Sequence, residues 1–213
     1  MNASEVSVGL AHEVMIRMAS AGAEVSDLTI LSKDEGICRK LIALIRGTAE
    51  ILTKKFLTLV NGDITIPALK KPFIVSDHFI VDTSDKAKVK IYDLGTNFRD
   101  WFLGTKVKSR DGYKMSSHRL TKNMSDKEIQ AELGKDYDTD LAAIFSLMEK
   151  QPHGKEGILL NNSYANIFYV KNNAGGLCAV FVRWHGGGWS VDADSVAGTV
   201  EWGGGCQVFS RNS

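Results

Sequence analysis

Over the first part of this chain, apolar residues recur at three- and four-residue intervals. Over the last part they form short runs, several of which alternate with polar residues. The first spacing is that of helices with one apolar stripe, the second that of strands. Ser4 to Ala21 reads as an amphipathic helix, with Val6, Leu10, Val14 and Met18 on one stripe, Met15 and Ile16 at its edge, and Gly22 as its stop. Ser32-Lys-Asp-Glu35 has the form of a capping box, and Ile37, Leu41, Leu44 and Ile45 follow at helical spacing up to Gly47. Lys54 to Val60 fits a short helix or a strand, and Asn61-Gly62-Asp63 signals a turn. Residues 1–66 are thus expected to form a mainly helical N-terminal region. It would be a packing or oligomerising accessory, or else a docking module for a host or virion partner.

Pro67 and Pro72 mark a boundary. Phe73–Val75 and His78–Val81 are strand-like, Asp82–Lys86 is a turn, and Lys88–Tyr92 alternates, so a hairpin is expected here. Phe98–Leu103 fits one or two helical turns that bury Phe98, Trp101 and Phe102. Gly104–Lys122 is polar and basic and reads as an exposed loop. Ser125-Asp-Lys-Glu128 is a second capping box, opening a helix to Leu133 that Gly134 ends. A helix over Leu141–Lys150 should bury Leu141, Ile144, Phe145 and Met148. Pro152 and Gly154 release the chain after it.

The tail from Tyr164 to Ser213 holds three of the four Trp and many of the Gly. Ala165–Val170, Leu177–Trp184, Trp189–Val196 and Gln207–Ser210 read as strands between Gly-rich turns. Val180, Val182 and Trp184 share one face of the second strand, while Phe181, Arg183 and His185 share the other. Val191 and Ala193 alternate with Ser190, Asp192 and Asp194. One face is ordinary core. The other mixes aromatic, basic and acidic residues with no common chemistry, and Cys178 and Cys206 add thiols that exposed surfaces usually avoid.

Composition narrows the classes. With 213 residues, 44% hydrophobic and 24% charged, the chain can bury a proper core in one or two domains. A net charge of +1 argues against a nucleic-acid binder driven by electrostatics. Three Cys make a poor disulfide framework; Cys38, within a helical pattern, is expected to be buried as a small hydrophobe. No signal peptide and no membrane-spanning run is visible, which implies cytoplasmic synthesis and leaves a surface or virion destination open.

The sequence holds no recognisable catalytic constellation. The five His lack metal spacing, no Cys-x-x-Cys or Gly-x-Ser-x-Gly occurs, and neither Gly186–Gly188 nor Gly203–Gly205 continues into Lys-Ser/Thr as a phosphate loop does. Asp136, Asp138 and Asp140 are spaced like the start of a calcium loop, but Leu141 stands where its Gly is needed and Leu147 where its Glu is needed. These acids are better read as charges at a helix N-terminus. Trp184, Trp189 and Trp202 could stack on sugars or bases, and core packing is the simpler reading. No catalytic residue, metal ligand or cofactor is assigned.

Every residue type on the mixed face, including Gly and Cys, can be reached from an Asn codon by changing its two adenines and keeping a pyrimidine third base. Lys, Glu, Gln, Met and Trp cannot, and none occurs in the set. With the frame ANIFYV…AVFVRW…GWSVDADSV…W…VFSRN, the tail resembles the variable proteins of diversity-generating retroelements. The resemblance extends to Phe79–Leu103 and more loosely to Leu141–Asn161, and is weak over the first sixty or so residues.

The resemblance implies an α+β chain with a C-type-lectin-like fold in its C-terminal two-thirds, residues 67–213, behind the helical region. Its terminal strand would close against the N-terminal hairpin, and its variable ligand-binding segment would span about 177–207. Trp184, Trp189 and Trp202 fall at framework positions. The implied contact set is Cys178, Phe181, Arg183, His185, Ser190, Asp192, Asp194, Gly203 and Cys206, anchored by Phe181 and Arg183. The ligand would be a protein or cell-surface molecule, with no nucleic acid and no membrane insertion. The sugar- and calcium-binding triplets and paired disulfides of calcium-dependent lectins are missing, so only fold and display surface carry over. The sulfatase-modifying branch of the fold would require thiol or copper chemistry around Cys178 and Cys206, which nothing nearby supports. Two alternatives remain: a structural or assembly protein whose tail packs against a partner subunit, and an enzyme of unrecognised type.

Overall fold

The computed structural model describes residues 8–46, 55–135, 137–198 and 201–212. The chain divides into two compact units between Lys54 and Lys55.

The N-terminal unit contains three short helices, α1 (Val8–Ser20), α2 (Val25–Lys33) and α3 (Glu35–Ile45). Gly22 ends α1 as expected. At φ 96° it lets the N–H groups of Gly22 and Ala23 turn back to the carbonyls of Ala19 and Met18. The second expected start is corrected. Ser32 lies inside α2, and α3 is capped by Asp34, whose Oδ1 accepts from the Ile37 N–H at 3.0 Å. Cys38 is only half-buried, its Sγ donating to the Leu31 carbonyl at 3.0 Å. Gly47 lies outside the described residues.

The second unit is built on one mixed sheet. Its strands are β1 (Leu57–Ile66), β3 (Ile91–Leu94), β5 (Tyr113–Leu120), β8 (Asn166–Lys171), β9 (Leu177–Trp184), β10 (Trp189–Ser195) and β12 (Gln207–Arg211), in the spatial order β1-β5-β12-β8-β9-β10-β3. The pairs β12/β8 and β10/β3 are parallel and the others antiparallel. A short β7 (Asp138–Thr139) pairs with β8 at Tyr169 and Val170, beyond the end of β12. Two small ribbons flank the sheet: β2 (Phe73–Ile74) with β4 (Lys106–Val107), and β6 (Met124–Ser125) with β11 (Glu201–Trp202).

Both faces of the sheet are covered, which is why Asn166–Val170 reads as a continuous run rather than an alternation: all five are buried. On one face, Met115, Phe168, Val180, Val182, Val191 and Phe209 pack under α6 (Leu141–Lys150) and the rings of Phe73, Phe79 and Phe98. On the other, Ile167, Tyr169, Ala179, Phe181 and Val208 pack under Met124, Ile129 and Trp202. Phe98 and Phe102 are buried from a helical turn, α4 (Thr96–Phe98), that runs into one π-helical turn, Arg99–Leu103; Trp101 is half-buried. α5 (Asp126–Leu133) and α6 fall where the sequence places them. Ser125 Oγ accepts from the Glu128 N–H at 3.3 Å, and Asp140 Oδ1 from the Ala143 N–H at 2.9 Å.

Four expectations are corrected. Residues 57–66 are a strand of the sheet, so the division precedes them rather than following residue 66. Asn61-Gly62-Asp63 makes a bulged stretch within β1, with Asn61 Oδ1 accepting from the Asp63 N–H at 2.9 Å. The basic stretch is largely strand: β5 buries Met115, Ser117 and Leu120, while Arg110 pairs with Asp140, Lys114 with Asp63 and Lys122 with Glu128. The hairpin over 73–92 does not form. Val75–Asp77 is a 3₁₀ turn, only one bridge joins Asp82 to Ile91, and β3 crosses to pair with β10. Phe73, Val75 and Phe79 are drawn into the core under α6, which takes this segment away from a second strand. β12 accordingly pairs with β5 and β8.

The Glu128 carboxyl is held down to about 2 by the Ser125 backbone N–H, then by Lys122 and the Ser125 hydroxyl. A depressed carboxyl stabilises the fold above its unfolded value of 4.5 and loses that contribution as pH falls toward 2. Ser125→Ala should cost about 1 kcal/mol in urea melts at neutral pH. The advantage of wild type over Glu128→Gln should shrink between pH 4.5 and 2.

Candidate ligand-binding face

β9 and β10 form a hairpin whose register pairs Arg183 with Ser190, Phe181 with Asp192, and Ala179 with Asp194. The intervening pairs are Val182 with Val191 and Val180 with Ala193. The intervening residues are fully buried against the α6 side. Arg183, Ser190, Asp192 and Asp194 lie on the opposite side and are partly exposed. The edge strand β3 extends this surface by setting Asp93 beside Ser190, and Arg99 reaches Asp93 at 3.2 Å.

The backbone under this face is tied down. The Gly95 N–H donates to the Val191 carbonyl at 2.8 Å, and Asn97 Nδ2 to the Ala193 carbonyl at 2.8 Å. The Asp192 carboxylate accepts from the Ala193 N–H at 2.8 Å and lies over Gly95, where a Cβ would come within 1.9 Å of its Cγ. Only glycine leaves room there for this placement of Asp192. Asp93, Gly95 and Arg99 escape a sequence reading, because the parallel pairing of β3 with β10 leaves no local pattern.

Two of the nine candidate residues turn out to be core on this side. Phe181 is 9% exposed, its ring edge-to-face with Trp202 at 5.1 Å. Trp202 Nε1 donates to Asp126 Oδ1 at 2.9 Å, and the Tyr169 hydroxyl donates to the same oxygen at 2.8 Å. Burial and the Asp126 charge push the Tyr169 hydroxyl far up, so it remains a donor. The Arg183 guanidinium caps the stack, 4.7 Å from the centre of the Phe181 ring. The expectation of Phe181 as an outward anchor is therefore corrected: β11, distant in sequence, folds Trp202 over it. Cys206 is buried in the same cluster.

Cys178 is on the other face, in the core with Val180 and Val182. Its Sγ lies 3.7 Å from Asn172 Nδ2, and burial pushes its thiol up. It cannot join a surface with Arg183. His185 and Gly203 are exposed in turns. The first, closed by the His185 N–H on the Gly188 carbonyl, ends the hairpin; the second leads into β12. The contiguous part of the predicted set is Arg183, Ser190, Asp192 and Asp194, with His185 at the end of the hairpin.

Of the framework tryptophans, Trp189 is fully buried, its Nε1 donating to the Gln151 carbonyl at 3.1 Å, and Trp202 is buried. Trp184 is half-buried, edge-to-face with Trp189 at 5.3 Å. Asp140 is engaged as a helix cap and by Arg110, and Asp138 pairs with Lys171 at 2.9 Å; Asp136 lies outside the described residues. No three His, Cys, Asp or Glu among the described residues are placed to share a metal ion. No protein family, curated protein or solved structure matches the chain.

Two measurements test this geometry. Phe181→Ala should cost about 3–5 kcal/mol in urea melts as a core truncation, whereas Arg183→Ala should cost about 0.5–1 kcal/mol as an exposed cation–π partner. Asp194 gives the second. Burial raises its carboxyl above the usual range, Asp192 and Asp126 raise it further, and Arg183 opposes them. A carboxyl raised in the native state makes stability fall as pH climbs from the unfolded value to the native one, and stay lower above it. Asp194→Asn should therefore stabilise the protein at neutral pH, by less than about 1 kcal/mol given its exposure. The gain should disappear in acid, below the ordinary carboxylate range.

Proposed function

We propose that this chain is a ligand-binding display protein, a non-enzymatic variable protein of a diversity-generating retroelement, whose sheet unit is a C-type-lectin-like scaffold. The observation that carries the reading is the division of β9 and β10 by face. Val180, Val182, Val191 and Ala193 are fully buried, while the alternate residues Arg183, Ser190, Asp192 and Asp194 share an accessible surface. These four types, with His185, belong to the set reachable from an Asn codon through its adenines. Their backbone is fixed by ladder hydrogen bonds and by α4, so side chains can be exchanged with little change in shape. A site ordered before it binds loses less entropy on binding. The lectin-like reading also draws support from the ends of the unit: β1 and β12 flank the same strand, β5, and Asn212 Nδ2 donates to the Gly62 carbonyl at 2.8 Å.

The assembly-protein reading fares less well. β12 is paired along both edges and Phe209 is fully buried, so the tail is engaged within its own sheet rather than offered to a partner.

The retroelement part is tested in the DNA around the gene. A near-copy of the segment encoding residues 177–207 that differs at adenines, beside a reverse transcriptase gene, is the expected result; a genome with neither overturns it. The display part is tested by a library. Randomising Arg183, His185, Ser190, Asp192 and Asp194 should leave most members protease-resistant. The same treatment of Val180, Val182, Val191 and Ala193 should leave few. Equal losses in the two libraries would sink the display reading.

A further inference from the structure

The described helices of the N-terminal unit, α1–α3, leave their apolar residues uncovered. Among its described side chains, residues 11–43, 45 and 46, none is fully buried. Eight large apolar side chains stand between 39% and 81% exposed, among them Val14, Ile30, Leu41, Ile42 and Ile45. The apolar stripe of α1 forms an open depression lined by Val14, Met18 and Ala21 between Glu13 and Arg17. Short helices gain most of their stability from packing an apolar face, and units this small commonly need a partner to supply one.

The charges indicate which partner. Residues 1–46 hold five basic and six acidic side chains, a net of −1. Arg17 and Arg39 are paired along their own helices with Glu13 at 3.7 Å and Glu35 at 2.7 Å. A surface of this kind selects neither a strongly acidic nor a strongly basic partner and meets an identical surface with little net repulsion. The area agrees. The eight side chains expose the equivalent of about four to five whole ones, and at roughly 60–120 Å² of apolar area each they set an upper bound on the order of 400 Å² per chain, because Val14 and Ile16, two apart on α1, point to different sides. A standard interface takes about 800 Å² from each partner, roughly 60% of it apolar, or about 480 Å².

We propose that the helices α1–α3 of the N-terminal unit form a self-association module, in which their apolar faces pack against the same faces of a second copy of this chain. The inference rests on this unit alone and stands whether or not the display reading holds.

The test is sedimentation of the full-length chain over a roughly hundredfold range of concentration. At the upper end the expected mass is twice the 23.3 kDa of one chain, falling on dilution. A full-length variant carrying Val14→Glu and Leu41→Glu should sediment as the single chain throughout. All four Trp lie in the sheet unit, so their fluorescence melt reports that unit separately and should be unchanged in the variant. A wild-type chain that stays monomeric at every concentration overturns the proposal and leaves the apolar faces to a different protein. A variant that remains dimeric with an unchanged fluorescence melt also overturns it, because the association would then run through the sheet unit.

Discussion

The pairing of β12 on both of its edges is the constraint on which the sheet unit depends. Gln207–Arg211 joins β5 antiparallel on one side, and its first three residues join β8 in parallel on the other. Without it, β1 and β5 would have no connection to β8, β9, β10 and β3 within the sheet. The side chains reinforce the ladder: Phe209 stacks on Phe168 at 4.5 Å, and Gln207 Nε2 donates to the Ile158 carbonyl at 2.9 Å. Parallel pairing between segments this far apart carries a large loop-closure cost before any contact repays it. The long connection ahead of β8 is held by two more buried amides. Gln151 exchanges hydrogen bonds with both backbone groups of Leu159, and Asn166 with both of Leu160. These amides satisfy backbone groups that a buried loop would otherwise leave unpaired.

The two sides of the sheet are finished differently. On the α6 side, apolar packing is continuous. On the other, packing stops near Phe181, where Trp202, Asp126 and Tyr169 form a hydrogen-bonded cluster, and the surface beyond is open at β9, β10 and β3. That edge separates residues whose loss would leave a cavity from residues whose replacement changes only what is presented to solvent. Arg183 sits on the line between them, its guanidinium over the Phe181 ring and its side chain half-exposed.

What could be read from the sequence follows from range. The helices α5 and α6 were legible because their caps, Ser125 and Asp140, lie beside the residues they cap. The tail strands were legible because Val180, Val182, Val191 and Ala193 alternate locally. β5 was not. Lys114, Arg119 and the residues around them look like a solvated loop until Asp63, Thr65 and Gln207 are brought to them from elsewhere. The parallel pairing of β3, the Trp202 lid over Phe181 and the space above Gly95 are likewise long-range facts. For the site, alternation indicated which face Arg183, Ser190, Asp192 and Asp194 take. It could not show that Phe181 and Cys206 on that face are covered. For Cys178 the period was informative: two residues from Val180, it had to share the buried face.

The accessible face presents a few half-exposed side chains, with Gly186–Gly188 in the turn at the end of its hairpin, and two of its cations are already engaged, Arg99 with Asp93 and Arg183 with the Phe181 ring. If this face binds a ligand as proposed, its few half-exposed side chains would give one copy little from which to build high affinity. Self-association through the N-terminal unit would change that arithmetic without adding a contact, because the second face would meet a multivalent ligand at the effective concentration set by the first. On the two proposals together, weak single faces and joined copies would be complementary: each exchangeable side chain would contribute little, and joined copies would recover what each face lacks.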